Sequence, residues 1–346
     1  MTKQHWATVT SFHFAHSMKQ VLIFSHQEEV TTSEVIDFLM MARKPFTRVN
    51  GEDAVQGLRY QMTDEGLTLS FVVNGKRIAL DEIDACWVRK RGLQINDQLG
   101  ETPTLNEDVL GILKQEMVSL RNHIHQILED PTLVANPVDS FAKAKYCNKL
   151  EMLYQAKKHG FAVPDTLVTT EKEAVQRFFA QHQGAVITKG INTAIAISEH
   201  ATGTCQVTPE DIEGLASTFF PTLWQAQIKK RYELRIFYLE NKFYSTAIFS
   251  QLDTQTSVDF RNYNNEVPNR VVPFQLPSTV AKKLQKLIDY FGYDSCSVDF
   301  IVDQSGNFVF LEINPVGQFG MVSEPCNYYL EKKVAAALIG QPSEKA

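Results

Sequence analysis

Two apolar segments near the C-terminus end in side chains that could bind a metal ion. The letters SCSVDFIVD and FVFLEIN read as buried strands, and QSGN between them is typical of a four-residue hairpin loop that follows Asp303. Counting back from that loop pairs Asp299 with Glu312. Because side chains alternate along a strand, Phe310, Glu312 and Asn314 are predicted to share one face.

The types of these side chains favour magnesium chemistry. The carboxylates of Asp299 and Glu312 repel each other unless a cation lies between them, and the Asn314 carbonyl adds a third hard oxygen. Mg²⁺ takes such ligands and shares its coordination shell with substrate phosphates. The same pattern also fits ordinary polar residues at the end of a hairpin, so the motif alone leaves both interpretations open.

Several charged side chains upstream of this hairpin lie on predicted helices and strands. Lys149 lies on a predicted helix, and Lys189 ends the predicted strand AVITK. Arg235 alternates with Glu233 along the segment YELRIFYL, so both side chains can point into one cleft. Each residue taken alone is also typical of a protein surface.

Alternating strands and helices must position these residues. The segment KQVLIFS reads as a first buried strand, followed by a helix over residues 31–44 and the strand FTRVN. The dipeptide NG at residues 74–75 predicts a hairpin turn. Apolar residues at helical spacing over residues 105–128 predict a long helix. These elements indicate an α/β (α+β) fold.

The composition excludes several classes of function. The 346 residues carry a net charge of −6, so a nucleic acid is not expected as the main partner. Five widely spaced cysteines without a Cys-x-x-Cys motif argue against a disulfide framework or a zinc site and fit a reducing cytoplasm. No apolar run is long enough to span a bilayer, and the first residues lack the features of a signal peptide. We therefore expect a cytoplasmic protein without a membrane partner, and the sequence leaves open whether it forms a homodimer.

Four motifs in order resemble the ATP-grasp family. NKLEMLYQAKKHGFAVPDT is similar to the segment with the family's first nucleotide lysine, and AVITKG to the strand with the second. LWQAQIKKRYELRIFYL resembles the hinge strand beside adenine, and SVDFIV with FVFLEINPVGQF resembles the metal-binding hairpin. The longer strings DFRNYNNEVPNRVVPFQLP and FLEINPVGQFGMVSEPCNYYLEKK resemble the grasp-with-spasm peptide maturases among the microviridin-type (graspetide) ligases.

The resemblance implies an organisation into domains. Residues 1–17 would form a disordered tail and 18–134 an N-terminal domain of the pre-ATP-grasp type. Residues 135–222 would form the central and lid subdomain, and 223–346 a C-terminal subdomain with the metal site.

The resemblance also implies roles for individual residues. Lys149 and Lys189 would hold the α- and β-phosphates of ATP, and Glu233 the ribose hydroxyls. Asp299, Glu312 and Asn314 would bind Mg²⁺, with two ions expected. Adenine would lie against a hinge formed by Gln225, Ala226, Gln227 and Ile228.

Three arginines are candidates for the reacting phosphate, because a guanidinium group binds a γ-phosphate or an acyl phosphate through two hydrogen bonds. They are Arg235, Arg261 in DFRNY and Arg270 in PNRVV. Surface or ion-pair roles are the alternative for each. Arg89 and Arg91, in WVRKRG, lie too far upstream for a role to be assigned.

Two segments differ from the pattern of the wider ATP-grasp family. The segment after Lys189 has only Gly190 and Gly203 where many ATP-grasp enzymes have a glycine-rich phosphate loop. Ser297 stands where D-alanine–D-alanine ligases carry an arginine.

The resemblance implies an ATP-dependent ligase whose partner is a precursor peptide with a leader and a core. It would activate Asp or Glu side chains as acyl phosphates and link them to Thr, Ser or Lys side chains of the same peptide. The alternatives are an amino-acid ligase of the ribosomal-protein glutamate-ligase kind and a non-catalytic ATP-binding scaffold like the synapsins.

Overall fold

The computed structural model describes residues 19–90, 92–95, 106–145, 148–191, 196–197, 200–201, 203–251 and 268–341. The predicted tail (1–17), Arg91 and Arg261 lie outside these residues.

A parallel sheet begins the described chain. The strands of the N-terminal domain are β1 (Gln20–Ser25), β2 (Phe46–Asn50), β3 (Val55–Thr63), β4 (Gly66–Val73), β5 (Lys76–Ala79), β6 (Ile83–Val88) and β7 (Asn136–Val138). Its helices are α1 (Val30–Met41), α2 (Glu107–Leu128) and α3 (Phe141–Lys145). Strands β2-β1-β6-β7 pair in parallel, and β3-β4-β5 form a separate antiparallel sheet. All six residues of β1 are buried, as expected for a strand covered on both faces.

The middle of the chain forms a second sheet. Its elements are α4 (Lys149–Lys158), β8 (Thr166–Glu171), α5 (Lys172–Gln181), β9 (Val186–Lys189), β10 (Ala196–Ile197), β11 (His200–Ala201), β12 (Cys205–Gln206), α6 (Pro209–Glu213) and β13 (Thr218–Ala226). Strands β12-β9-β13-β8 form an antiparallel sheet, here called the lid sheet. It has its own small core, composed of Val175, Val186, Val207, Ile212 and Trp224.

The C-terminal part is built on a larger antiparallel sheet. Its elements are β14 (Lys230–Leu239), β15 (Lys242–Phe249), β16 (Arg270–Phe274), α7 (Ser278–Phe291), β17 (Ser295–Asp303), β18 (Phe308–Asn314), α8 (Gly320–Cys326) and α9 (Leu330–Leu338). Strands β16-β15-β14-β17-β18 form what is called here the palm sheet. Helix α7 covers one face of it, because Leu284, Leu287 and Ile288 project from one side of the helix into the main core.

Most elements predicted from the sequence are present at the expected places. The turn at Asn74 and Gly75 has positive φ at both residues, as a two-residue turn of the primed type requires. The helix predicted before Gly160 ends at Lys158, and Gly160 adopts a φ of +81° that favours glycine.

The packing refines the domain boundaries expected from the sequence. Strand β7 extends the N-terminal sheet beyond residue 134, and α4 packs into the palm core through Met152, Leu153 and Ala156. The boundary expected at 222/223 passes through β13, which belongs to the lid sheet. The lid body therefore comprises residues 166–226, and residues 227–229 connect it to the palm sheet.

The N-terminal and palm sheets share a core. Val21 and Trp87 of the N-terminal sheet belong to the same hydrophobic cluster as Phe237 of the palm and Leu330 and Val334 of α9.

No helix among the described residues is long and apolar enough to cross a membrane.

Candidate active site

A row of charged side chains crosses three strands of the palm sheet. Arg235 on β14 pairs with Asp299 on β17, and Asp299 pairs in turn with Glu312 on β18. Nη1 of Arg235 donates to Oδ2 of Asp299 at 2.6 Å, and both side chains are buried. Nζ of Lys149 lies 3.6 Å from Oε2 of Glu312 at the other end of the row. Two carboxylates are thus adjacent, with one cation beside each.

The predicted pairing of Asp299 with Glu312 is confirmed, but its derivation was partly wrong. Phe308 pairs with Val302, one residue off the register predicted from a four-residue loop, and a bulge between Asp299 and Phe300 restores the expected partner. The bulge also turns Phe310 into the hydrophobic core instead of onto the face of Glu312. The prediction that Phe310 shares this face is therefore wrong.

Asn314 occupies the next row of the same face, opposite Ser297. Its Oδ1 accepts a hydrogen bond from the N–H of Val316 at 3.1 Å, which fixes the direction of the amide. An amide oxygen has two lone pairs, so one hydrogen bond does not prevent it from binding a metal ion. The structure thus brings Asn314 to the same end of β18 as Glu312.

The donor set of this face fits magnesium. It consists of the oxygens of Asp299, Glu312 and Asn314, which are the hard ligands that Mg²⁺ prefers, with neither thiolate nor imidazole among them. Nowhere among the described residues do three His, Cys, Asp or Glu side chains cluster for a metal ion. Two carboxylates and one amide are few ligands for an all-protein cage, which is typical of magnesium sites completed by phosphate oxygens and water.

The first candidate phosphate lysine, Lys149, contacts the backbone directly after the second, Lys189. Lys149 is the first residue of α4, and its Nζ donates to the carbonyl of Gly190 at 3.4 Å. Gly190 directly follows Lys189, the last residue of β9. Lys149 therefore links the end of β9, which carries Lys189, to Glu312 of the palm sheet.

Glu233 lies on β14, two residues before Arg235, on the same face. Its carboxylate is buried, accepts a hydrogen bond from Ser250 Oγ at 2.8 Å, and also binds Lys230 Nζ. Burial raises the pKa of Glu233, against the opposing effect of Lys230. The predicted ribose ligand is thus already held by two protein groups at the start of the palm sheet.

The hinge segment is more fully engaged in backbone pairing than its sequence suggests. Gln225 lies inside β13 between β8 and β9, and its Nε2 donates to Thr166 Oγ1 at 2.9 Å. The N–H groups of Ala226 and Gln227 donate to neighbouring strands and loops at 2.9 Å each. These hydrogen bonds leave the half-buried Ile228 and carbonyl groups of the segment as the candidate contacts for adenine.

Arg270 lies away from the charged row. It pairs with Phe249 at the edge of the palm sheet, and its guanidinium lies 5.4 Å from the centroid of the Phe249 ring. Phe249 packs on Tyr232 at the main core, which covers the face opposite Arg235. This placement argues against the catalytic role predicted for Arg270, and Arg261 lies outside the described residues.

Two residues of the N-terminal domain reach the site and had no assigned role. Nη1 of Arg89 and Nζ of Lys90 donate to the carbonyl of Val316 at 2.7 and 3.0 Å, two residues beyond Asn314. Burial, reinforced by the neighbouring Arg89 charge, lowers the pKa of Lys90 to about 8. The signal in the sequence was the segment WVRKRG, whose basic residues directly follow a buried strand.

Searches against known proteins place this geometry in context. No protein-family model matches the chain, and no curated protein sequence matches it. Many solved structures do, among them a RiPP-associated ATP-grasp ligase of Chryseobacterium gregarium in complex with ADP and a leader and core peptide. That ligase is 25% identical, with a TM-score of 0.76, over 93% of this chain and 97% of the other.

Two further structures have the same architecture. The macrocyclase MdnC of Microcystis aeruginosa MRC, bound with precursor peptide MdnA, is 24% identical with a TM-score of 0.72, over 93% of this chain and 100% of that one. The ATP-grasp ligase PsnB, complexed with a minimal precursor, Mg and ADP, is 15% identical with a TM-score of 0.64, over 93% and 96% of the two chains. The chain therefore has the ATP-grasp fold, in the form found in RiPP-associated peptide ligases.

Proposed function

We propose that the chain is an ATP-dependent ligase that crosslinks a ribosomally made precursor peptide. Asp or Glu side chains of the peptide would be activated, and Thr, Ser or Lys side chains of the same peptide would attack them to form ω-ester or ω-amide links. The row Arg235–Asp299–Glu312, with Lys149 at its end, is the observation that carries the proposal. The similar solved structures with bound precursor peptides support the choice of substrate.

The first step transfers a phosphoryl group. A peptide carboxylate attacks the γ-phosphorus of ATP, the bond to the β-phosphate oxygen breaks, and ADP leaves with its charge held by Lys149 and Lys189. Bound Mg²⁺, held by Asp299, Glu312 and Asn314, would neutralise phosphate charge and orient the phosphoryl group. We propose that two ions bind, and Glu312 would help to hold both. Such chemistry depends on positioning and charge compensation more than on an enzyme nucleophile.

The second step closes the ring. The hydroxyl or amine of the peptide attacks the acyl carbon, the acyl–phosphate bond breaks, and phosphate leaves with the electron pair. The proton lost by the nucleophile passes to the departing phosphate or to water. Because donor and acceptor belong to one peptide, their effective concentration is high. Exclusion of water from a closed cleft would favour ring closure over hydrolysis of the acyl phosphate.

The charged face offers little net positive charge to a peptide, because Lys149, Lys230 and Arg235 each pair with a carboxylate there. A flexible core offers little affinity of its own, because it must be ordered on binding. We therefore expect a leader segment of the precursor to bind outside the cleft. The reaction is expected in the cytoplasm, where ATP is present.

The mass of the product tests this function. Purified protein, ATP, Mg²⁺ and the precursor encoded nearest to it should give a product lighter by one water per link, with one ADP released for each link. Mild base should hydrolyse ester links and restore the original mass. A product heavier by added glutamate would identify an amino-acid ligase instead. ATP binding without peptide-dependent ADP release would identify a scaffold.

A further inference from the structure

Arg89 is a buried cation that belongs to the N-terminal domain but contacts the loop after the metal-binding strand. It follows β6, is 3% exposed, and donates through Nη1 to the Val316 carbonyl at 2.7 Å. Nη2 lies 3.2 Å from Oε1 of Glu29, and the guanidinium lies 5.4 Å from the centroid of the Phe319 ring. Arg89 is therefore held by a carboxylate on one side and by the loop on the other.

Side chains of neighbouring strands hold the loop of residues 315–319 by donating hydrogen bonds to its carbonyl groups. Arg235 donates through Nη2 to the Gln318 carbonyl at 3.1 Å, and Ser297 Oγ donates to the same oxygen at 3.3 Å. A Cβ on Gly317 would lie 2.4 Å from Cβ of Ser297 and 3.1 Å from Nη2 of Arg235. The loop is thus pressed against the strands that carry Asp299 and Arg235.

Val316 links Arg89 to the metal-binding amide. Its N–H donates to Oδ1 of Asn314 at 3.1 Å, and its carbonyl accepts from the buried Arg89 at 2.7 Å and from Nζ of Lys90 at 3.0 Å. The two groups belong to adjacent peptide planes that share the Cα of Val316, so a shift of this residue away from Arg89 would also strain its hydrogen bond to the Asn314 side chain. Side chains that orient a metal ligand in this way commonly change metal affinity by about 10- to 100-fold when removed.

The charge pair explains why Arg89 can occupy this buried position. Oε2 of Glu29 accepts from the N–H of Thr32 at 2.5 Å, which fixes the carboxylate at the start of α1. Arg89 raises the stability of the ionised Glu29, and the pKa of Glu29 is lowered although burial alone would raise it. The pair is therefore a fixed anchor in the N-terminal domain, with the loop as its third partner.

We propose that Arg89 is a positioning residue for the ligation reaction: by fixing Val316 it orients Asn314 toward the metal ion and keeps Gln318 against Arg235. The inference rests on the proposed function. It assigns to the N-terminal domain a direct part in the metal site, in addition to any part in peptide binding.

Metal binding provides the test. Mn²⁺ binding to the full-length protein with ADP is measured from the loss of the free-ion signal in electron paramagnetic resonance, for the wild type and for the variants Arg89→Lys and Arg89→Met. We expect the Mn²⁺ dissociation constant to rise by about tenfold or more in Arg89→Met. The Mn²⁺ dissociation constant of Arg89→Lys should lie between those of the wild type and Arg89→Met, because one ammonium group replaces two directed donors. In turnover assays the apparent Mg²⁺ activation constant should rise while the KM for the precursor stays within about twofold.

Two further variants keep the test valid if Arg89→Met does not fold. Glu29→Gln with Arg89→Met removes the buried charges together, and Gly317→Ala displaces the loop while leaving Arg89 in place. Both should weaken Mn²⁺ binding. Lys44→Met is the matched control, because it breaks an ion pair with Asp84 in the same domain that has no contact with the loop.

The outcomes separate this inference from the proposed function. If the wild type forms no crosslink with Mg²⁺ and its precursor, the proposed function fails. If the wild type is active and either folded Arg89→Met or the folded double variant binds Mn²⁺ as tightly as Lys44→Met does, the positioning role of Arg89 is overturned, whatever the result for Gly317→Ala. Retained near-ultraviolet circular dichroism identifies the folded variants.

Discussion

Arg235 and Asp299 face each other across β14 and β17 with Nη1 and Oδ2 2.6 Å apart, and their side chains are 6% and 9% exposed. An ion pair buried to this degree constrains both partners, because removing either one leaves an uncompensated charge in the protein interior. Arg235 also holds the Gln318 carbonyl, so it connects Asp299, a proposed metal ligand, to the loop that follows β18.

Removing this arginine should therefore affect both stability and turnover. We expect Arg235→Met to lower the free energy of unfolding by about 3–5 kcal/mol, because Asp299 would stay buried without its cation. Turnover should be lost even in the protein that remains folded. Urea denaturation measures the first effect and ADP release the second. Arg231→Met, at an exposed position of the same strand, is the control and should change neither by much.

The metal ligands can be separated from the fold. Glu312→Gln keeps the approximate shape of its side chain, and Asn314→Ala shortens its side chain. Both positions lie at the partly exposed end of β18. We expect turnover to fall by at least about a hundredfold, or roughly 3 kcal/mol in the transition state. The melting temperature should change little. Glu324→Gln, an exposed acid on α8, should behave like the wild type. Near-normal ADP release by purified Glu312→Gln enzyme would refute the metal assignment.

The two candidate phosphate lysines should act on the nucleotide. Lys149→Ala and Lys189→Ala should each raise the KM for ATP by about tenfold or lower turnover, since each removes a charge from the phosphate-binding region. Lys157→Ala, on the exposed side of α4, is the matched control. Binding of a fluorescent ADP analogue measures the affinity directly. If both variants and Glu233→Ala bound the analogue as the control does, the nucleotide site would lie elsewhere.

Asp139 should make the stability of the protein depend on pH. Its carboxylate is buried between the two large sheets, where Ser295 Oγ donates to it at 2.8 Å and Trp87 Nε1 at 3.2 Å. Burial raises the pKa of Asp139 from 3.8 to about 7, with Asp294 acting in the same direction and Arg89 against it. The folded state thus holds a proton that the unfolded state has already released between these two pH values.

The sign of the effect follows from this difference in proton binding. The stabilising contribution is complete below pH 3.8 and is lost as the pH rises toward about 7. Asp139→Asn keeps an acceptor but cannot titrate, so its free energy of unfolding should fall less than that of the wild type over the same pH range. Urea denaturation at several pH values compares the two slopes. Parallel slopes would show that Asp139 is ionised in the folded protein throughout this range.

Sequence patterns could predict the elements of the palm hairpin but not their local irregularity. The alternation in β17 and β18 indicates two strands, and the spacing of Asp299 and Glu312 indicates their pairing. The bulge that sends Phe310 into the core depends on packing against Phe161 and Phe300, which lie far apart in the sequence. A one-residue shift in register leaves no sign in the pattern of apolar residues when a bulge compensates for it.

Contacts between domains could not be predicted from the sequence, because they also join residues that are far apart in the chain. Arg89 and Val316 are 227 residues apart. Neither the segment WVRKRG nor the loop that contains Val316 has a sequence pattern that predicts contact between them. The cleft-facing position of Arg235 follows from strand alternation, whereas the opposite orientation of Arg270 depends on which face of the edge strand meets Tyr232 and Phe249. Residue types and motifs could thus predict candidate ligands for metal and phosphate. Only the folded topology shows which face of the palm sheet each candidate side chain occupies.

The separate core of the lid sheet has a consequence for motion. Its few buried residues, with Trp224 the largest, are joined to the palm along the chain by two short segments, residues 159–165 and 227–229. Small cooperative units of this kind open at a lower free energy than the main core. We expect backbone amides of β8 and β9 to exchange with deuterium through opening of the lid alone, well before those of β14 and β17. ADP bound between the sheets should slow this exchange selectively, which would reveal nucleotide binding without any chemical turnover.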